Sequence, residues 1–239
     1  MTNSVYDIPL PHLAASLVLI LAVGVIYARW SGDFKTVGYA TLRMLIQLLG
    51  IGFVLVYVFS TNQPEIVMLI LVMMLVASSW ISLRPLKKLR TQLYGKVIAS
   101  LALGCFLSLF LVIFGVIRLK PWHEPRYLIP IASMIFSNAM NTVSLAAERF
   151  HSERERGVEP LKARSIAFQT GLLPLINSFL AVGVVSLPGM MTGQILAGVS
   201  PLLAARYQIL VMSMLLGASG ISAATYLWLV AREEKRAKK

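Results

Sequence analysis

The stretch SLPGMMTGQILAG, Ser186 to Gly198, interrupts a long apolar run in which a membrane helix would otherwise continue unbroken. Pro188 lacks a backbone N–H and its ring clashes with the preceding helical turn, so we expect a helix to end or kink near Leu187. Gly189 permits backbone angles that other residues avoid. The stretch therefore predicts an interrupted helix around Leu187–Gly189, with Pro188 and Gly189 at the break.

A broken helix at membrane depth has two interpretations. The freed backbone groups must be satisfied by protein, water or a solute, and transporters place discontinuous helices at their binding sites for this reason. Thr192 and Gln194 offer polar side chains for such a site. The alternative is an outer loop that turns the chain between two spans, and the residues alone favour neither interpretation.

Apolar runs of membrane-spanning length recur along the whole chain. Of its 239 residues, 57% are hydrophobic and only 13% charged, with a mean hydropathy of +0.76, whereas a soluble domain is about 25% charged. This composition predicts an all-α, polytopic transmembrane bundle and a single domain over residues 1–239. We expect about seven spans, at Pro9–Ala28, Val37–Phe59, Ile66–Leu83, Val97–Ile117, Tyr127–Ala147, Thr170–Leu187 and Leu203–Ala231.

The formal charge of +12 is unevenly placed. Seventeen of the 22 basic residues fall in four short segments, Arg29–Lys35, Arg84–Lys96, Arg149–Arg164 and Arg232–Lys239. All four can lie on one side of a membrane, which is the positive-inside pattern and gives an outside N-terminus and an inside C-terminus. The charge therefore indicates a lipid bilayer as the partner and argues against nucleic acid.

The fifth predicted span carries four hydroxyls and two amides. Ser133, Ser137, Asn141 and Ser144 form one stripe, and Asn138 and Thr142 form the adjacent one. So many polar groups are unfavourable on a lipid-facing surface. They either bond neighbouring helices together or line the path of a translocated solute. The candidate substrate-path residues are Ser133, Ser137, Asn138, Asn141, Thr192 and Gln194.

Small residues mark the fourth span as a packing surface. Ser100, Gly104 and Ser108 share one of its faces, and we expect another helix backbone to approach closely there.

The sequence favours an energy source supplied by another chain if transport is its function. No Asp or Glu lies well inside a predicted span, which disfavours a proton-driven mechanism. The sequence also has no Walker A loop to hold nucleotide phosphates: LYGKV has a Gly-Lys but neither the upstream Gly nor the following Ser or Thr. We therefore expect any ATP to be bound by another chain.

IPIASMIFSNAMNTVSLA, residues 129–146, followed by VGVVSLPGMMTGQILAGVSPLLAARYQI, residues 182–209, closely resembles the FetB-like ABC-exporter permeases and their plant aluminium-tolerance relatives. The resemblance implies a non-enzymatic permease of the bacterial cytoplasmic (inner) membrane. It implies a homodimer, paired with a cytoplasmic ABC ATP-binding subunit that carries ATP and Mg while this chain binds no cofactor. Bacterial members are associated with iron export.

The cytoplasmic segments are the expected contact with that subunit. The candidate coupling residues are Arg84, Lys87, Lys88, Arg154, Arg156 and Glu159. Residues 148–170 form a shorter segment than is usual in the family and lack its Leu-Gly-Ala stretch, which leaves open whether the segment couples to an ATPase.

The sequence supports three hypotheses for the function, of which the first is favoured. The chain exports a metal ion such as iron through ligands that the sequence does not identify. It moves a nucleotide sugar by the same mechanism. Or it is a non-transporting membrane scaffold or sensor, in which the polar stripe holds helices together.

Overall fold

The computed structural model describes residues 9–31, 34–60 and 63–237, and these residues are mostly helical, with short connections and no β-sheet, which confirms the predicted fold class. The α-helices in this part of the chain are α1 Leu10–Ser31, α2 Phe34–Ser60, α3 Pro64–Ser82, α4 Arg90–Phe110, α5 Pro125–Glu155, α6 Pro160–Ala181, α7 Gly189–Leu196 and α8 Pro201–Ala237. A 3-10 turn, Lys87–Leu89, precedes α4, and a π-helical segment, Leu111–Ile117, continues it.

The chain divides into two compact units, residues 1–61 and 62–239. In the first unit α1 packs against α2, and most of the apolar side chains of both helices are exposed. In the second unit α8 contacts α4, α5, α6 and α7, and α5 also packs against α3, α4 and α6. The expectation of one permease domain stays a prediction.

Six of the described helices are long and apolar enough to cross a membrane by length and composition, namely α1 to α5 and α8, with α4 counted together with its flanking turns. The sixth predicted span, Thr170–Leu187, corresponds to α6, which begins ten residues earlier and is not among the six. Arg164, Gln169 and Asn177 reduce its apolar character. The seventh span and the orientation of the termini therefore stay predictions.

The small-residue face of α4 packs against α8 as expected. Ser100, Gly104 and Ser108 are all buried. A Cβ atom placed on Gly104 would lie 2.7 Å from the carbonyl oxygen of Ala218 and 2.8 Å from the backbone nitrogen of Ser222. Only glycine fits at this crossing, because the Ser222 hydroxyl also lies there and the other two obstructing atoms belong to the backbone of α8.

Three of the four basic segments meet at one end of the second unit. Lys96 of α4 forms an ion pair with Glu233 of α8. The Tyr226 hydroxyl of α8 lies 3.4 Å from Nε2 of His151 on α5. The charge pattern of the sequence predicted that these segments share one side of the membrane, and these contacts place them together.

The interruption before α7 starts earlier than predicted. The expectation that the preceding helix ends near Leu187 is wrong, because α6 ends at Ala181. The amides of Val184, Val185 and Ser186 all donate to the Ala181 carbonyl oxygen, at 3.3, 2.8 and 3.1 Å. Gly183 adopts the left-handed φ of +82° that closes this turn.

Pro188 and Gly189 start the next helix rather than end the previous one. Pro188 caps the N-terminus of α7, and Gly189 is the first residue of that helix. Gly189 has no left-handed φ, whereas Gly198, just after α7, has a φ of +90°. The conformational freedom expected of Gly189 is therefore used at Gly183 and Gly198.

Candidate functional site

A cavity of about 580 Å³ lies between α5, α7 and α8 in the second unit. Most of its lining is apolar. The polar lining residues are Arg126, Tyr127, Ser133, Gln194 and Tyr207. The structure thus brings together Ser133 and Gln194, two of the predicted path residues that are 61 positions apart in the sequence.

Helical spacing explains how α5 reaches this cavity. Pro125 begins the helix, a position that suits proline because its missing N–H would have no helical partner. Arg126, Pro130 and Ser133 then follow at intervals of four and three residues, so they share one face. The Ser133 hydroxyl donates to the Pro130 carbonyl oxygen at 2.8 Å, which holds the serine side chain against its own helix.

The interrupted segment supplies the opposite wall through α7. Met190 and Gln194 are four residues apart on this short helix, and both line the cavity. Because the turn at residues 182–188 ends α6 and Pro188 starts α7, the break in the helix is what presents these two side chains. The Pro-Gly signal in the sequence therefore does mark an element of the cavity wall.

Gln194 holds an unsatisfied polar atom at this wall. Its Oε1 is buried and has no hydrogen-bond partner among the residues that the structure describes. Leaving a buried carbonyl oxygen unpaired costs about 1–3 kcal/mol. A solute, a cation or water in the cavity would relieve that cost by supplying the missing partner.

The deeper polar residues of α5 do not line the cavity. Ser137 and Asn141 are exposed, and Asn138 is half-buried. The Ser137 hydroxyl and the Asn138 amide both donate back to the Met134 carbonyl oxygen, at 3.2 and 3.0 Å. These bonds stay within α5, so they do not join it to another helix. The exposed stripe runs about 12 Å along α5, from Ser133 to Asn141.

Thr192 also lies outside the cavity. It is half-buried on α7, and its backbone amide donates to the Pro188 carbonyl oxygen at 3.0 Å in the first turn of that helix. Of the six predicted path residues, the structure therefore groups Ser133 with Gln194 and leaves the other four beside the cavity.

Arg126 is the one charged residue in the described lining, and sequence reasoning missed it. No carboxylate of the described part of the chain lies within ion-pair distance of it. Its spacing from Pro130 and Ser133 was the available signal. The cavity consequently presents a positive charge to an anionic or hydroxylated solute.

A metal ion would meet a different set of ligands. Within residues 9–31, 34–60 and 63–237, no three His, Cys, Asp or Glu side chains lie close enough together to hold a metal ion. The cavity lining instead includes the thioethers of Met134, Met190 and Met214. Thioethers suit soft ions such as Cu(I), while amide and hydroxyl oxygens suit harder ones.

The predicted coupling residues lie at the basic end of the second unit. Arg84, Lys87 and Lys88 are exposed in the connection from α3 to α4. Arg90, the next basic residue, fixes this corner. Its guanidinium lies 3.6 Å from the centroid of the Trp80 ring, and its Nε donates to the Trp80 carbonyl oxygen at 3.1 Å.

The turn between α5 and α6 is short and tightly bonded. Arg154 donates to the Val158 carbonyl oxygen, and the Val158 amide donates to the Glu153 carbonyl oxygen at 3.1 Å. Gly157 supplies a φ of +82°. Arg156 and Glu159 are exposed on this turn. Most of the segment 148–170 is thus helical, formed by the end of α5 and the start of α6.

Glu153 anchors this end of α5 and was also missed. Its carboxylate is buried and lies 2.7 Å from Nη2 of Arg149 and 3.6 Å from Nη1 of Arg156. The spacings of four and three residues place all three side chains on one helical face. The sequence contained this helical spacing, but spacing alone does not show that the carboxylate is buried.

We expect Glu153→Gln to lower the free energy of unfolding by about 1–2 kcal/mol. The neutral amide leaves both guanidinium groups without a carboxylate, and the exposure of the two arginines limits the loss. The measurement is the melting temperature in detergent, expected to fall by roughly 2–8 °C. Glu155→Gln is the control, because Glu155 lies only two residues further along α5 and is exposed; equal shifts in both variants would contradict the anchoring role.

Comparisons with known proteins find membrane proteins that are similar to this chain over most of its length. Residues 10–234 match the family described as "Uncharacterised protein family (UPF0014)". A UPF0014 membrane protein of Synechocystis sp. is 34% identical over 214 residues, covering 82% of this chain and 83% of the relative. "Probable iron export permease protein FetB" of Escherichia coli is 30% identical over 245 residues, covering 95% and 93%.

A plant protein is similarly related. "Protein ALUMINUM SENSITIVE 3" of Arabidopsis thaliana is 32% identical over 234 residues, which cover 90% of this chain and 83% of the relative. No solved structure matches the chain. Six apolar helices of spanning length, together with relatives named as membrane proteins, make this chain an integral membrane protein.

Proposed function

The chain belongs to the UPF0014 family of membrane proteins, and we propose that it is the permease subunit of an ABC-type exporter driven by a separate ATP-binding subunit. A relative that covers nearly the whole chain is named a probable iron export permease. The sequence has no Walker A loop, so ATP and Mg would be bound by the partner. Two permease copies would assemble in the bacterial cytoplasmic membrane.

The cavity between α5, α7 and α8 carries this proposal. It combines an interrupted helix, an unpaired buried amide oxygen on Gln194 and the start of the polar stripe at Ser133. Polar side chains such as those of this stripe are unfavourable on a helix surface that faces only lipid. The exposed Ser137 and Asn141 would continue the path along α5, facing the second copy of the chain across the dimer.

The opposite end would receive the ATPase. At 31 residues α5 is about 46 Å long, whereas the hydrocarbon core is about 30 Å thick, so the helix extends beyond the membrane. Its rigid turn to α6 presents Arg154, Arg156 and Glu159, and the α3–α4 connection presents Arg84 and the two lysines after it. ATP binding and hydrolysis at this end would switch the permease between inward- and outward-facing states.

Iron is the leading substrate because of the relative's name, and one observation favours the alternative. Arg126 lines the cavity without a carboxylate partner in the described part of the chain, which suits an anionic solute such as a nucleotide sugar better than a bare cation. A cation would depend on Gln194, Ser133 and the three thioethers for its ligands.

We expect the purified complex with the candidate ATP-binding subunit to show solute-stimulated ATP hydrolysis. The two chains are co-expressed, captured through a tag on this chain, and assayed with Fe²⁺, Mn²⁺, Cu⁺ and UDP-glucose. Selective stimulation by Fe²⁺ supports iron export, and stimulation by UDP-glucose supports the anionic solute. If a well-folded preparation retains no ATPase, the exporter proposal is wrong and the scaffold interpretation takes its place.

A further inference from the structure

A second cavity, of about 650 Å³, lies between α4, α6 and α8. It is an open groove at the end of the second unit that carries the basic segments, since Arg164 lines it and Arg232 lies just beyond it. Its apolar wall is formed by Leu103, Phe168 and Leu227. None of the residues that line the other cavity takes part in it.

The rim of this groove is polar and positively charged. Arg164 is half-buried, and no carboxylate of the described residues lies within ion-pair distance of it. Ser165 and Thr225 add hydroxyl groups beside it. The Arg232 guanidinium lies 4.9 Å from the centroid of the Trp228 ring, and that ring also lines the groove.

The groove has an amphipathic profile along its length. Along α8, Arg232 and Ala224 are eight residues apart, so the apolar wall continues about 12 Å from the charged rim into the membrane. Tryptophan is enriched at the interface between bilayer and water, and basic residues on the cytoplasmic side attract anionic lipids. A soluble anion would use the rim but leave the apolar wall uncovered.

We propose that this groove binds an anionic phospholipid. The lipid phosphate is bound by Arg164 and Arg232, the headgroup accepts hydrogen bonds from Ser165 and Thr225, and an acyl chain covers Leu103 and Phe168. The phospholipid would join α6, the long helix of the second unit that is not among the six candidate membrane spans, to α4 and α8. This binding does not depend on whether the protein transports a solute.

Trp228 provides a direct test, because quenching of its fluorescence reports the lipid in the groove. The full chain with Trp30, Trp80 and Trp122 changed to Phe is placed in phosphatidylcholine bilayers. Increasing fractions of phosphatidylglycerol or phosphatidylcholine, brominated near the glycerol end of the acyl chains, are then added. We expect half-maximal quenching at a roughly 30-fold lower fraction of brominated phosphatidylglycerol, the factor that two basic residues give at about 1 kcal/mol each.

Two variants of α6 separate a specific site from general attraction to the surface. Arg164→Gln is expected to reduce the preference by about fivefold. Lys162→Gln removes the same charge from an exposed position two residues away, outside the groove, and is expected to keep the preference. If the Gln variant does not fold, Arg232→Gln removes the other charge at the rim and is expected to reduce the preference by the same factor of about five.

Equal quenching by the two brominated lipids would overturn the proposal. So would an equal loss of preference in Arg164→Gln and Lys162→Gln, because that result indicates diffuse surface charge. Reversal of the quenching by excess inorganic phosphate would also contradict it, since a free anion would then suffice. Native mass spectrometry of the unmodified chain offers a second measurement, in which anionic phospholipid is expected to remain bound to the parent and to be lost from Arg164→Gln.

Discussion

We expect Gly104→Ala to lower the melting temperature of the protein by roughly 3–10 °C. The new Cβ atom would lie 2.7 Å from the Ala218 carbonyl oxygen and 2.8 Å from the Ser222 nitrogen, so α4 and α8 must separate. Forcing extra volume into a packed interface costs about 1–3 kcal/mol, and although the Ser222 hydroxyl, which is also in the way, can rotate, the two backbone atoms cannot move aside. The melting temperature in detergent is the measurement.

Gly95→Ala is the matched control, because Gly95 lies on the same helix with no atom within 4 Å of an added Cβ. Replacing a helical glycine by alanine stabilises by about 0.5–1 kcal/mol, so this variant should melt at the same or a higher temperature. Opposite signs on one helix would show that the crossing with α8, and not glycine content, sets the stability. A Gly104→Ala protein as stable as its parent would contradict the close approach.

The features that depend on composition and on helical periodicity could be predicted from the sequence. Apolar runs placed seven of the eight described helices, because burial in lipid demands about 20 apolar residues wherever a span occurs. The face formed by Ser100, Gly104 and Ser108 predicted close packing, since small residues are what lets helix backbones approach. The charge pattern predicted that the basic segments share one end, and the contact between Lys96 and Glu233 agrees.

Other features, among them the exact helix ends and the burial of single side chains, could not be predicted from the sequence. The end of α6 at Ala181 is set by three amides that converge on its carbonyl oxygen and by Gly183, a local stop signal that the apolar run around it concealed. Pro188 correctly indicated a break in the helix, but the sequence did not show that this proline starts α7 instead of ending α6. The partners of Glu153 lie at ordinary helical spacing, yet only the packing of α5 decides that this carboxylate is buried rather than solvated.

The cavity was predicted in part for the same reason. Polar residues within an apolar run identified Ser133 and Gln194, because each is costly at membrane depth. Arg126 lies at the predicted membrane boundary, where charged side chains are common because they reach water, so the sequence did not single it out. Whether a polar residue lines a cavity or lies beside it, as Asn138 does, depends on the rotation of α5 against α7 and α8.

We expect Gln194→Leu to lower solute export by roughly 10- to 100-fold while leaving the melting temperature unchanged or higher. Loss of a hydrogen bond to the bound solute at about 1–3 kcal/mol gives the fall in export. The melting temperature should not fall, because leucine has a similar size and removes the buried Gln194 Oε1, an acceptor that has no partner in the described structure. Export from proteoliposomes containing the complete complex, and the melting temperature of the same preparation, are the two measurements.

A fall in export without a fall in melting temperature distinguishes a glutamine that binds solute from one that only stabilises the fold. Gln169→Leu makes the same chemical change at an exposed position of α6 outside the cavity, and it should preserve export. If Gln194→Leu loses export and melts lower in proportion, the side chain holds α7 in place and the path lies elsewhere. If export is unchanged, the unpaired oxygen does not face the solute, and the exposed stripe through Ser137 and Asn141 becomes the remaining candidate path, since it is the other polar surface that α5 presents.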